Sequence, residues 1–214
     1  MTIPDTILKR ALSNVCFIWG RGKTTIADHL REAYGYFVYS TDEAKERHWS
    51  EANSTDQPYM CRDFEDEYGV RDFWELPKEV IGERERHVQA EVTPMLVTDL
   101  IALAAQHPVV LCEGDMDYET VIPFAGHAVY LHNTGKSFDW FSRPDHDSLA
   151  HIRARNDLTD AEKEAVIRNA YAATSGNNSH LPDWVRYRRI PVIAWNEETG
   201  IAETARAVKQ LFGL

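Results

Sequence analysis

The chain is short of cysteine, of basic charge and of long apolar runs, and each shortage narrows what it is. Three cysteines in 214 residues, at no paired spacing, exclude a disulfide-stapled scaffold. Cys16 and Cys112 each fall inside an apolar strand pattern, where a thiol is expected to be buried and reduced. The expected setting is therefore the reducing cytoplasm. Lys and Arg total 23 against 34 acidic residues, a net charge of -11. That balance speaks against nucleic acid as a partner, because phosphate backbones recruit stripes of Lys and Arg; a local basic pocket stays compatible with it. No run approaches the length of a membrane helix, and the opening MTIPDTILKRALSN lacks the apolar centre of a signal peptide, so no membrane is expected. Nine histidines are present, but none forms the i, i+4 pair of zinc proteases. His146 and His151, five apart, read as surface residues. There is no GxSxG elbow, no internal repeat and no low-complexity tract.

What the chain does have is a steady alternation of helical and strand patterns. With 43% hydrophobic and 27% charged residues, it has the make-up of an ordinary globular domain. The alternation points to an α/β fold around a mainly parallel sheet. The patterns predict strands at 14–19, 36–39, 108–112, 127–132 and 190–195. Helices are expected at 24–34, from Ser40-Thr41-Asp42-Glu43 onward, at 77–106 with a bend or division at Pro94, at 159–174 and at 197–212. Ser40 to Glu43 and Thr159 to Glu162 both have capping-box form. Residues 50–76, polar and acidic with scattered aromatics, read as an irregular or helical excursion, and 175–182 as a loop.

The sharpest signal is NVCFIWGRGKTTIADHL, residues 14–30. Val15 to Trp19 is apolar and partly β-branched, as in a buried strand. Gly20-Arg21-Gly22-Lys23-Thr24-Thr25 then leads straight into a helical pattern. Strand, glycine turn, Lys, Thr and helix is the setting of a Walker A phosphate loop. Backbone N–H groups of the turn and helix start would point at a phosphate, and the helix dipole would favour its charge. Lys23 would reach the outer phosphates and Thr24 would offer its hydroxyl to magnesium. The full motif has a glycine five positions before Gly22, where this chain has Phe17. It also has four residues between its glycines, where this chain has only Arg21. The turn is thus short by about three residues. It is either native or a deletion in an otherwise active enzyme. A βα turn with a solvated Lys is the plain alternative, and a shortened loop holding one anion at the helix start lies between the two.

On these residues the layout resembles the P-loop kinases of small molecules and nucleotides, such as the gluconate, shikimate and nucleoside monophosphate kinases. The likeness covers most of the chain as an order of elements, but only residues 15–25 as a motif. VVLCEGD at 109–115 is similar to the second acidic strand of that superfamily. PVIAWNEETGIAETARAVKQLFGL at 191–214 is similar to its last strand, base-side loop and closing helix. The resemblance implies a three-layer P-loop fold with a mainly parallel five-stranded sheet and a helical lid or insertion. It implies one domain over 1–214, with 50–76 a substrate-side insertion and 135–182 a lid-like region. It further implies ATP and magnesium as cofactors, a nucleotide and a small hydroxylated acceptor as partners, and transfer of the γ-phosphate between them.

The same resemblance distributes roles. Gly20, Arg21, Gly22, Lys23, Thr24 and Thr25 would hold the nucleotide phosphates, with Trp195, Asn196 and Glu197 candidates for the base side. Asp42 lies just past the second strand, at the edge where open α/β sheets bind ligands. It would contact or deprotonate the acceptor hydroxyl, or else only favour a helix dipole. Glu113 and Asp115 share that edge. With Thr24 they would hold magnesium, or else form a strand-end turn. Arg143 and Arg153 are the lid candidates for catalysis beside Lys23 and Asp42, with Arg155 and Arg168 nearby; the alternative for each is a solvated surface. Arg153 and Arg155, two apart, cannot face the same way on one helix. Arg186, Arg188 and Arg189 form a second basic lip or a charged approach to the last strand. The aromatics of 59–74 line an acceptor pocket or a small satellite core. Two functions stay open: a phosphotransferase, and a degenerate P-loop domain that binds nucleotide, an anion or a protein partner without catalysis.

Overall fold

In the computed structural model, which describes residues 5–134, 141–143, 149–175, 181–196 and 198–214, strand β1 (Val15–Gly20) occupies the middle of a five-stranded sheet. The others are β2 (Phe37–Ser40), β3 (Val110–Glu113), β4 (His127–Asn133) and β5 (Val192–Trp195). The order is β2-β3-β1-β4-β5 and every pairing is parallel. A central parallel strand is covered on both faces, which is why β1 is apolar throughout. The main helices are α1 (Asp5–Ala11), α2 (Lys23–Tyr34), α3 (Thr41–Glu51), α4 (Phe64–Tyr68) and α5 (Lys78–Ala104). The chain closes on the helix Ile201–Leu211.

The period of two along β1 divides the core into two layers. Val15, Phe17 and Trp19 enter one cluster with Val88, Val92, Leu96 and Leu100 of α5. Cys16 and Ile18 enter a second with Ile26, Ala27 and Leu30 of α2 and with Ala205 and Val208 of the closing helix. Helices therefore cover both faces of the sheet, giving the three-layer α/β architecture expected for a P-loop-like fold. No helix among the described residues is long and apolar enough to cross a membrane.

A third, smaller cluster lies off the sheet. Leu149 and Ile152, the N-cap and a core residue of the helix Ala150–Ala154, and Ile167 and Ala170 of the helix Asp160–Ser175 pack with Trp74 and Phe141. Polar contacts fasten this unit to residues 71–76. The Asn169 amide donates to the carbonyls of Trp74 and Leu76 at 2.8 and 2.6 Å. Arg155 bonds both Glu75 and Asp157, and Arg71 pairs with Asp157 at 3.3 Å. The ring of His151 lies 2.9 Å from Asp72.

Local chemistry explains where elements start. Glu162 accepts from both the N–H and the hydroxyl of Thr159, at 2.7 Å each, so that capping box forms. At α3 it does not: Ser40 stands at the N-cap without a cap bond, because its hydroxyl bonds Glu113 instead. Helix α5 runs undivided through Pro94. The missing N–H would have met the carbonyl of Ala90, an exposed residue that water serves as well. Strand β5 begins at Val192, two residues later than the pattern 190–195. Pro191 has no N–H for the ladder, and the Ile190 N–H turns back to Val185.

Candidate functional site

Because all strands are parallel, the ends of β1, β2 and β3 meet at one edge, with Ser40 beside Glu113 in register and Glu113 beside Ile18. The turn leaving β1 is tight. Gly20 and Gly22 have φ of 89° and 82°, and close neighbours forbid a side chain at either. A Cβ would come within 2.2 Å of the Leu131 oxygen at Gly20, and within 2.0 Å of the Trp195 ring at Gly22. Between them the Arg21 backbone is held at both of its polar groups. Its N–H donates to Leu131 O and its carbonyl accepts from Trp195 Nε1, both at 3.0 Å. The Arg21 guanidinium bonds the Tyr171 hydroxyl, joining the turn to the helix Asp160–Ser175. Helix α2 starts directly after Gly22 with no side-chain cap on its first turn, and Thr24 and Thr25 are exposed there.

Around that helix start gather three acids and two lysines. The Lys23 amine sits 3.7 Å from Asp115 Oδ1, its side chain 18% exposed. Burial works against its charge, but Asp115, Asp42 and Glu113 outweigh it and hold the amine above its usual pKa. Thr24 Oγ1 donates to Glu113 Oε2 at 2.8 Å. Glu113 is 1% exposed, and burial raises its carboxyl despite the bonds from Ser40 and Thr24 and the charge of Lys23. Asp115 behaves oppositely: burial would raise it, but Lys23, the Tyr118 hydroxyl at 2.6 Å and Lys45 hold it below the ordinary value. Two neighbouring carboxylates thus have opposite tendencies, Glu113 buried at the strand end and Asp115 half exposed beside Lys23.

The β2 and β3 ends interlock. Gly114 has φ of 115°, and a Cβ there would meet Thr41 Oγ1 at 2.0 Å. That hydroxyl donates to the Asp115 carbonyl at 3.1 Å. Asp42 is exposed and lies 3.4 Å from Lys45 Nζ. With its amide oriented to satisfy both groups, Gln89 donates to the Asp115 carbonyl at 3.2 Å and accepts from Lys45 at 2.9 Å.

Of the sequence candidates, Gly20, Arg21, Gly22, Lys23, Thr24, Asp42, Glu113 and Asp115 come together at this edge, and Thr25 lies on the adjoining turn. Two of the lid candidates have contacts of their own. Arg153 donates to the carbonyls of Ser142 and Arg143 at 3.0 and 2.6 Å, Arg143 is exposed, and Arg168 pairs with Glu164 on its own helix. Arg186, Arg188 and Arg189 are exposed on the approach to β5. On the expected base side, Trp195 is buried beneath Gly22. Asn196 Oδ1 accepts from the N–H and hydroxyl of Thr199 at 3.0 and 3.1 Å. Glu197, His146 and most of 135–148 lie outside the described residues.

Sequence reasoning missed Ser40, Lys45, Gln89 and Tyr118. Lys45 and Tyr118 each stand three residues beyond an acid that was singled out, which was a usable signal. Gln89 had none, since only packing decides which face of α5 meets the site.

The donor chemistry fits magnesium. Thr24 and Glu113 present hard oxygens 2.8 Å apart at an exposed helix start, and magnesium commonly takes one or two protein oxygens with phosphates and water for the rest. Among the described residues no group of three or more His, Cys, Asp or Glu is arranged to hold a metal. An ion held there would take its remaining ligands from a bound molecule or water. No protein-family model matches the chain, and no curated protein does.

Proposed function

We propose that this protein transfers the γ-phosphate of ATP to the hydroxyl of a small acceptor. The observation that carries the reading is the Thr24–Glu113 contact beside Lys23. It places a hydroxyl, a buried carboxylate and a cation at the start of α2, where phosphoryl transfer needs metal placement and charge neutralisation. Magnesium, when bound, would supply positive charge to offset that of the phosphates. Thr24 and Glu113 would hold it. Lys23 would neutralise the outer phosphate, and the uncapped N–H groups of α2 would orient it. Asp42, exposed beside Lys45, would accept the acceptor's hydroxyl proton as that oxygen bonds phosphorus and ADP leaves. Asp115 would keep Lys23 in place. Buried, free Cys16 and Cys112 support a cytoplasmic setting.

A second reading is favoured by the Arg21 backbone. Its N–H and carbonyl are both used within the protein, whereas a longer turn would aim amides at the β-phosphate. On this reading the site holds a nucleotide or a single anion without turning it over.

The test is calorimetric titration of ATP with magnesium into the wild-type protein and Lys23→Ala, followed by assays of hydrolysis and transfer. Micromolar binding that weakens at least about tenfold in the variant supports a phosphate role. Turnover that depends on Lys23 excludes the binding-only reading. Binding that is indifferent to Lys23, or absent from both proteins for ATP and for inorganic phosphate alike, overturns both.

A further inference from the structure

Beside the phosphate edge, between α3, α5 and the segment 62–73, lies a cleft of about 370 Å3. That volume is typical of small-molecule sites, which pair an apolar lining with a few placed polar groups. This cleft has both kinds of wall. Trp49, 44% exposed, and Phe73 line it, together with Arg62 and Arg84. An aromatic ring with this exposure inside a concave site is the usual seat of a flat apolar body.

The two arginines are held in position. Arg84 is only 9% exposed; its Nη2 donates to the Arg62 carbonyl at 2.6 Å, and its guanidinium lies 5.8 Å from the centre of the Phe73 ring. The Arg62 guanidinium sits 4.3 Å over Tyr59, whose ring stacks on His87 at 4.0 Å. Two acids also line the cleft. Asp63 caps α4 by accepting from the Glu65 N–H at 2.8 Å, and Glu85 lies within reach of the charges of Lys45 and Arg84. Arg62 meets Glu67 at 3.5 Å in an exposed pair, weak enough for a ligand anion to displace, and a planar guanidinium suits a carboxylate or phosphate.

Glu85 also fixes the cleft's relation to the phosphate edge. It lines the cleft and stands one helical turn before Gln89 on α5. Gln89 in turn contacts Lys45 and the Asp115 carbonyl, and Asp115 meets Lys23. We infer that this cleft binds a small anionic molecule with a flat apolar body, its anion on Arg62 and Arg84 and its free end toward Asp115. That this molecule is the phosphate acceptor rests on the function proposed above; that the cleft binds it does not.

The experiment is calorimetry without nucleotide, using 3-phenyllactate and phenyl phosphate as the carboxylate and phosphate forms of the probe. Lactate, which lacks the ring, and 3-phenylpropane-1,2-diol, which lacks the anion, are the controls. At least one probe is expected to bind more tightly than about 1 mM and at least about tenfold better than both controls. Which probe wins tells the two anions apart. Arg84→Met and the surface variants Arg62→Met and Trp49→Ala should each weaken it about tenfold, the latter two serving if Arg84→Met fails to fold. Probe binding that persists in Lys23→Ala separates the cleft from the nucleotide site, and the inference stands even if ATP never binds. Binding of neither probe, or equal binding of probe and controls, or indifference to Arg62 and Trp49, overturns it while leaving the phosphate reading intact.

Discussion

Thr24 and Glu113, 89 positions apart in the chain, are joined by a 2.8 Å hydrogen bond from hydroxyl to carboxylate. One partner is exposed at the first turn of α2 and the other is buried at the end of β3. The bond therefore connects solvent to the sheet, and its acid carries a charge that burial opposes.

Glu113→Gln keeps an oxygen for Thr24 and removes that charge. The variant is expected to be at least as stable as wild type at pH 7, while magnesium-dependent turnover falls at least about tenfold. The sign of the pH dependence follows from the raised carboxyl. The folded protein takes up this proton before the unfolded chain does, so wild type gains on the variant as pH falls toward the ordinary carboxylate range. Thermal midpoints of both proteins from pH 8 to pH 4 check it; an advantage of the variant that grows on acidification contradicts the assignment.

Gly22→Ala meets two obstacles, a φ of 82° and a Trp195 ring 2.0 Å from the new Cβ. It is expected to cost roughly 1–3 kcal/mol and to weaken nucleotide binding. Gly35→Ala is the control, since φ is 73° there and nothing lies within 4 Å; it should carry only the backbone penalty, about 1 kcal/mol. Urea midpoints of the two variants decide, and equal losses would mean the ring gives way.

Asn169→Ala leaves the carbonyls of Trp74 and Leu76 without their donor and is expected to destabilise by about 1–3 kcal/mol. The neighbouring Asp157 carboxyl is held at about 2, chiefly by the Arg155 guanidinium. Its contribution is fully present above the unfolded value near 4 and is lost as pH falls through about 2. The stability gap between wild type and Asp157→Asn should be flat from pH 7 to pH 5 and close below pH 4. A gap that widens in acid contradicts the pairing.

Burial pushes the Cys16 thiol up to about 12 and Cys112 well above its ordinary value, whereas Cys61 is exposed. At pH 8 only about one ten-thousandth of Cys16 is thiolate. One equivalent of an aromatic disulfide reagent is expected to react quickly with the native protein, and three after denaturation. Loss of the fast phase in Cys61→Ser identifies it; a second fast thiol would mean the core opens.

The central layers were legible because their pattern has one physical cause. A strand buried on both faces cannot be polar, so Val15 to Trp19 and Val110 to Cys112 announce themselves. The site was half legible. Lys23, Thr24, Asp42, Glu113 and Asp115 follow from strand ends in a parallel sheet, which bring distant acids to one edge. What could not be read was which polar groups the fold would use internally. Ser40 looks like a cap but serves Glu113, Arg153 looks like a phosphate ligand but bonds main-chain carbonyls, and Asn196 closes its own turn. Such choices depend on contacts between segments far apart in sequence, to which local spacing is blind.

The indole of Trp195 packs on this turn, its ring 2.0 Å from where a Cβ on Gly22 would stand and its Nε1 on the Arg21 carbonyl. Turn length and the bulk of residue 195 are therefore expected to be a matched pair: a lineage that lengthened the turn would have to change that side chain in step. Across homologues the two traits should covary, long turns with small residues and short turns with large ones.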